Sequence, residues 1–148
     1  MLLWVFGIST HLFFWKIGAK ERIMLSISDY ELTEHQQVVL ARVNQLRLFY
    51  KVHANLVKHV TDAFPDIIVL DKKNKVLFIE QIATEHSVTK NTKDKEWRHF
   101  AHLGHPFNLI VPKSKIVQAK RLIRNITINR LYYYELLHID IKFRHLGK

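Results

Sequence analysis

The chain has no cysteine among its 148 residues, so neither a disulfide nor a thiolate metal site can contribute to it. That absence fits a reducing, cytoplasmic setting. Acidic residues are scarce: 13 Asp and Glu stand against 23 Lys and Arg, a formal net charge of +10 at pH 7. The excess points to a polyanionic partner, either nucleic acid or an anionic membrane surface. No apolar run is long enough to span a bilayer, which takes roughly 20 residues. Met1–Trp15 lacks Lys, Arg, Asp and Glu, yet it is shorter than that and contains Ser9 and His11. It also lacks the flanks of a secretory signal, with no positive charge before it and no clear small-residue cleavage site after it. There is no internal repeat and no low-complexity stretch.

What is present describes one ordinary globular domain. The apolar content is 48%, and the length suffices for a single core. Residues 1–23 have three readings: a buried strand or helix, a short membrane-associating segment, or an upstream extension with the working start at Met24. A segment packed on the body or on a partner is preferred, with 24–148 forming one α/β domain.

Ser28-Asp29-Tyr30-Glu31 has the form of a capping box, and Leu32, Val39, Val43 and Leu46 form one stripe after it, so residues 29–47 read as a helix. Leu48–Val60 is rich in strand formers and holds one strand and a loop. Pro65–Leu70 and Val76–Ala83 read as a hairpin around the polar turn Asp71–Lys75. Thr84–Asp94 is a loop or a frayed helix start, and Lys95–Leu103 is a helix closed by Gly104 with Pro106 beyond it. Phe107–Val111 is a short apolar strand, and Lys113–Ile128 is a helix with Ile116, Ala119, Ile123 and Ile126 inside. Arg130–Ile141 is a last strand carrying Tyr132, Tyr133 and Tyr134. The order predicts a mixed α/β sheet flanked by helices.

One feature stands out chemically. Asp66 opens the first hairpin strand and Glu80 lies inside the second, among apolar residues. Burying an ionised carboxylate is costly unless something pairs with it. The simplest solution is that the two acids meet across the hairpin and share a cation. Two carboxylates and a backbone carbonyl, with Gln81 as the third donor, are the hard oxygen ligands that Mg²⁺ or Mn²⁺ prefers. Such an ion would orient a phosphate and activate water.

The element order, Pro65-Asp66 and the Glu80-Gln81-Ile82 triplet together resemble the PD-(D/E)XK nuclease-like superfamily, over roughly residues 29–135. The resemblance implies a restriction-endonuclease-like fold and a Mg²⁺-dependent endonuclease acting on nucleic acid, DNA before RNA. By it, Asp66 and Glu80 hold the metal, and Glu34, or less readily Glu31, completes the acidic site. The chain departs from the family at the signature lysine, where it has Ile82. Lys90, Lys93 or Lys95 stands in, with Lys93 named as the catalytic cation, or else Gln81 after a bulge changes its face. The alternative reading is a catalytically degenerate nucleic-acid-binding module on the same fold.

Further candidates are weaker. Lys90, Lys95 and Arg98 surround Trp97 and suit a phosphate backbone with base stacking, although Trp97 and Phe100 at helical spacing also read as core. Lys120, Arg121 and Arg124 would contact nucleic acid if their helix lies on the side of Asp66 and Glu80. His99, His102 and His105 recur every three residues, but Gly104 and Pro106 break the helix around the last. Glu85 is a possible secondary ligand. A homodimer, with the apolar N-terminus at its interface, would allow both strands of a duplex to be cut.

Overall fold

The computed structural model describes residues 16–17, 20–21, 32–56, 64–138 and 140–147. The chain divides into two compact units, 1–33 and 34–148. In the first, strand β1 (Lys16–Ile17) pairs antiparallel with β2 (Lys20–Glu21). The apolar run 1–15 and the capping box at 28–31 lie outside the described residues.

The second unit is a mixed α/β layer built on one six-stranded sheet. Helix α1 (Glu34–Leu46) precedes β3 (Lys51–Ala54), the hairpin strands β4 (Ile67–Leu70) and β5 (Val76–Ile82), and β6 (Phe107–Pro112). Strands β7 (Arg130–Leu136) and β8 (Ile141–Leu146) complete the order β3-β4-β5-β6-β7-β8. The β3/β4, β4/β5 and β7/β8 pairs are antiparallel, whereas β5/β6 and β6/β7 are parallel. Parallel neighbours need a crossover, and helices supply both of them. Helix α2 (Lys90–Thr92) runs through a π-helical turn, Lys93–Trp97, into α3 (Arg98–Ala101). Helix α4 (Ile116–Leu122) sits between two 3₁₀ turns, Lys113–Lys115 and Ile123–Asn125.

Several boundaries differ from the sequence reading. Helix α1 starts at Glu34, because Leu32 and Thr33 are not helical. The second helix begins at Lys90, earlier than expected, since the Thr89 hydroxyl caps it by accepting from the Thr92 N–H. The span read as one helix over 113–128 is α4 with a 3₁₀ turn at each end. Strand β8 was not anticipated. Its alternation of half-buried and exposed residues marks a sheet edge with weak apolar signal.

The hairpin turn shows how local chemistry fixes register. Asp71 Oδ1 accepts from the backbone N–H of Lys73 (2.7 Å) and Lys75 (2.9 Å). Asn74 takes a φ of 64°, a left-handed conformation that asparagine tolerates better than most residues. Leu70 then faces Val76 while Val69 faces Phe78, so Leu77 is the extra residue of a bulge. Beyond it, Ile68 opposes Ile79 and Ile67 opposes Glu80.

Strand alternation divides the core into two faces. Ile79, Phe107, Leu109, Val111 and Leu131 pack with Trp97, Phe100 and Ala119 under α2, α3 and α4. The intervening positions, Ile67, Val69, Glu80, Ile82, Asn108 and Ile110, are buried on the other face, which α1 covers with Val39, Arg42, Val43 and Leu46. Among the described residues no helix is long and apolar enough to cross a membrane.

Candidate functional site

Both acids are buried, as their setting in apolar strands implies, and both are met by α1. Arg42 Nε and Nη2 donate to the two carboxylate oxygens of Glu80, each at 2.8 Å. This is a bidentate fork, the strongest geometry available to such a pair. Glu80 is 0% exposed and Arg42 6%. Asn108 Nδ2, from the neighbouring β6, donates to Glu80 Oε1 at 3.2 Å, and Asn129 Nδ2 donates in turn to Asn108 Oδ1 at 2.9 Å. Arg42 also donates through Nη1 to Gln45 Oε1 (2.7 Å) and lies over the rings of Tyr132 and Phe143, 4.7 and 5.4 Å from their centroids. Every lobe of the guanidinium is therefore engaged. Desolvation by burial acts to lower the Arg42 pKa, but Glu80 and, after it, Tyr132 together outweigh it, and the guanidinium lies above its usual value.

One helical heptad earlier on the same stripe, His35 Nε2 lies 3.0 Å from Asp66 Oδ2. The same oxygen accepts from the backbone N–H of Ile82 at 2.8 Å, tying the start of β4 to the end of β5. The Asp66 backbone N–H donates to Gln81 Oε1 (3.1 Å), and Gln81 Nε2 donates to Glu96 Oε2 (3.3 Å) in the π-helical turn. Gln81 keeps the face opposite Glu80; the bulge in β5 falls at Leu77, upstream of both.

The acids thus lie at one end of the hairpin, as the spacing implied, but take separate partners, Glu80 an arginine and Asp66 a histidine. The third acid, Glu34, accepts from the Tyr134 hydroxyl at 2.7 Å. Burial first and this bond second push the Tyr134 phenol well above its ordinary value. Glu31 lies outside the described residues. Ile82, at the signature lysine position, is 1% exposed and packed in the core. A Mg²⁺ or Mn²⁺ ion does not fit the donor set as arranged. Both Glu80 oxygens already accept N–H groups from a fixed positive charge, which would repel a second cation at the same carboxylate. Among the described residues no group of three or more His, Asp or Glu side chains is placed to hold a metal ion.

The basic candidates take other partners or face solvent. Lys93 Nζ sits 3.5 Å from Asp94 Oδ1, and Arg98 Nε donates to the same oxygen at 3.0 Å. Lys90 and Lys95 are exposed. Trp97 and Phe100 are core, not stacking surfaces. Lys120, Arg121 and Arg124 are exposed on α4 and its 3₁₀ extension, against the sheet face opposite Glu80, so the condition for their involvement is not met. His99, His102 and His105 are all exposed. Glu85 accepts from the Ser114 hydroxyl and pairs with Lys115 Nζ at 3.6 Å; the hydroxyl, ahead of the lysine, lowers its pKa.

The sequence reading missed Arg42, His35, Asn108 and Asn129. A signal existed for the first: Arg42 interrupts the stripe Val39, Val43, Leu46 at an inward position, where a charge needs a partner. Asn108 likewise interrupts the apolar run Phe107–Val111.

No protein-family model matches the chain, and no curated protein sequence does. A solved structure similar to it is the YaeQ protein from Pseudomonas syringae, at 10% sequence identity and a TM-score of 0.40, over 77% of this chain and 62% of that one. The chain therefore spans less than two thirds of that protein's length. Likeness at this level carries no functional argument.

Proposed function

We propose that the chain is a nucleic-acid-binding module on a restriction-endonuclease-like sheet, with its two signature acids used for structure and no longer for phosphodiester hydrolysis. The observation that supports this most is the buried bidentate pair of Arg42 and Glu80. It occupies the carboxylate that a nuclease would give to a metal. Ile82, buried beside it, has no proton to transfer and no charge to place on a phosphate. The formal charge of +10 supplies the attraction to a polyanion.

The test is binding and cleavage measured on the same protein. Single-stranded and duplex oligonucleotides should bind with affinity that falls steeply with salt. Supercoiled plasmid and single-stranded DNA should survive prolonged incubation with Mg²⁺ or Mn²⁺. Metal-dependent cleavage abolished by Asp66→Ala in a folded protein would restore the nuclease reading. Absence of binding at low salt to every nucleic acid tried would remove both.

A further inference from the structure

The sheet has a second end with a different character. Strand β5 runs from Val76 to Ile82, so its start lies about 20 Å from the Asp66 end at ~3.3 Å per residue. Around that start the chain exposes large apolar side chains in sequence: Leu48 is 76% exposed, Phe49 79% and Tyr50 42%. The backbone that carries them is held in place, because Phe49 N–H and Tyr50 N–H both donate to the Leu46 carbonyl at 3.0 Å, and Arg47 N–H donates to Val43. Phe49 sits edge-on to Tyr50 (centroids 6.5 Å apart), and Tyr50 edge-on to Phe78 (5.8 Å). The rings form a stepped surface.

Cations surround it. Lys51 follows Tyr50 directly and donates to Asn74 in the hairpin turn, which also carries Lys72, Lys73 and Lys75. Arg130 opens β7, which runs parallel to β6 and β5 and so begins at the same end of the sheet, and it contacts the Tyr132 hydroxyl at 3.4 Å. The turn's one acid, Asp71, turns Oδ1 inward to the N–H groups of Lys73 and Lys75 and is outnumbered by the turn's three lysines. A purely apolar partner would have to bury this ring of charge without compensation. A single strand of nucleic acid satisfies both features: its bases present π-faces to exposed rings, and its phosphates follow the lysines.

Resting on the nucleic-acid-binding reading, we propose that Phe49 and Tyr50 form a stacking platform for single-stranded nucleic acid, with Lys51, Lys72, Lys73, Lys75 and Arg130 contacting its backbone. The surface is separate from the acids at the far end of β5. Paired bases cannot lie flat on the rings, so single strands bind in preference to duplex.

The experiment is fluorescence anisotropy with labelled oligo-dT and oligo-U of about 12 nucleotides, and a duplex of equal length, over a salt series. Phe49→Ala is expected to weaken single-strand binding about tenfold, and the Phe49→Ala/Tyr50→Ala pair further, each ring stacking on one base. Replacing Lys72, Lys73 and Lys75 by Gln should reduce the slope of log K against log salt by roughly 2. The Lys120→Gln/Arg121→Gln/Arg124→Gln variant should bind like the wild type. Circular dichroism melting of each variant checks that the fold is kept. Binding that survives both ring substitutions, or duplex bound as well as single strand, overturns the stacking platform while leaving the broader reading intact. Loss of self-association in the ring variants with unchanged binding would make the surface a contact between copies, and would also overturn it.

Discussion

The two faces of the central sheet solve the same problem with different chemistry. Under α2, α3 and α4 the core is almost wholly apolar, with Trp97, Phe100, Phe107, Leu109 and Val111 packed together. Under α1 the same strands carry Glu80, which accepts from Arg42 of the helix and from Asn108 of β6. An apolar face is stabilised by area and tolerates sliding; a buried fork is stabilised only at one position. The polar face therefore fixes where α1 sits along β5, and His35 on Asp66 fixes it a second time two turns away. Replacing such pairs with apolar residues is often neutral or stabilising, so their contribution here is better read as placement than as net stability.

That contrast can be broken from the polar side first. Arg42→Ala leaves Glu80 as a buried carboxylate with only Asn108 donating to it, and should cost about 3–5 kcal/mol in urea or guanidinium unfolding. Arg42→Met combined with Glu80→Leu should recover more than half of that loss, because no unpaired charge remains. If the double variant is as unstable as Arg42→Ala, the network is stabilising in its own right. If the double variant folds yet no longer binds nucleic acid, the acids are more than scaffold.

On the apolar face the matching probe is Trp97. Its indole Nε1 is buried and has no hydrogen-bond partner among the described residues. Trp97→Ala would open a large cavity, but Trp97→Phe removes both volume and an unsatisfied donor. The two effects oppose one another, and the expected net change in unfolding free energy is within about 2 kcal/mol. A loss comparable with that of Arg42→Ala would show that the indole N–H is satisfied in solution, by water or by a group outside the described residues.

Much of this division was legible in the residues. The hairpin strands, the apolar strand β6 and the burial of Asp66 and Glu80 follow from short apolar runs with polar punctuation, a local signal. The inner positions of α4 were also placed, with Ala119 fully buried. The counter-ions were not, because a pairing between residue 42 and residue 80 is a tertiary event that periodicity does not encode. The expectation that two buried acids share one metal treated them as each other's nearest solution. Helix α1 offers Glu80 an arginine and Asp66 a histidine, and nothing in the hairpin alone reveals that. Strand β8 was missed for a related reason: an edge strand needs only half its side chains buried, so its pattern is faint.

Tyr134 gives a smaller test at the margin of the polar face. Its hydroxyl donates to Glu34, so Tyr134→Phe should cost about 1 kcal/mol. The pH dependence has a definite sign. A phenol whose folded pKa is raised contributes stability that is complete below the unfolded value near 10 and is lost as pH rises beyond it. Wild-type stability should thus decline above pH 10 more steeply than that of Tyr134→Phe. In ultraviolet titration one tyrosine should ionise only as the chain unfolds, and the phenylalanine variant should lack that component.

The smallest effect is expected at Glu85, which is exposed and belongs to neither buried face. The Ser114 hydroxyl and then Lys115 hold its pKa below the ordinary carboxylate value. A depressed pKa means a contribution present above the unfolded value and lost as pH falls through the folded one. Solvent screens the pair, however, so the contribution should not register in global unfolding. Ser114→Ala should raise the Glu85 titration midpoint, followed by side-chain carboxyl NMR, and leave the denaturation midpoint unchanged. A measurable drop in stability would mean that the loop after β5 is anchored through this hydroxyl. The contrast between buried faces that set structure and a surface that merely titrates would then have to be redrawn.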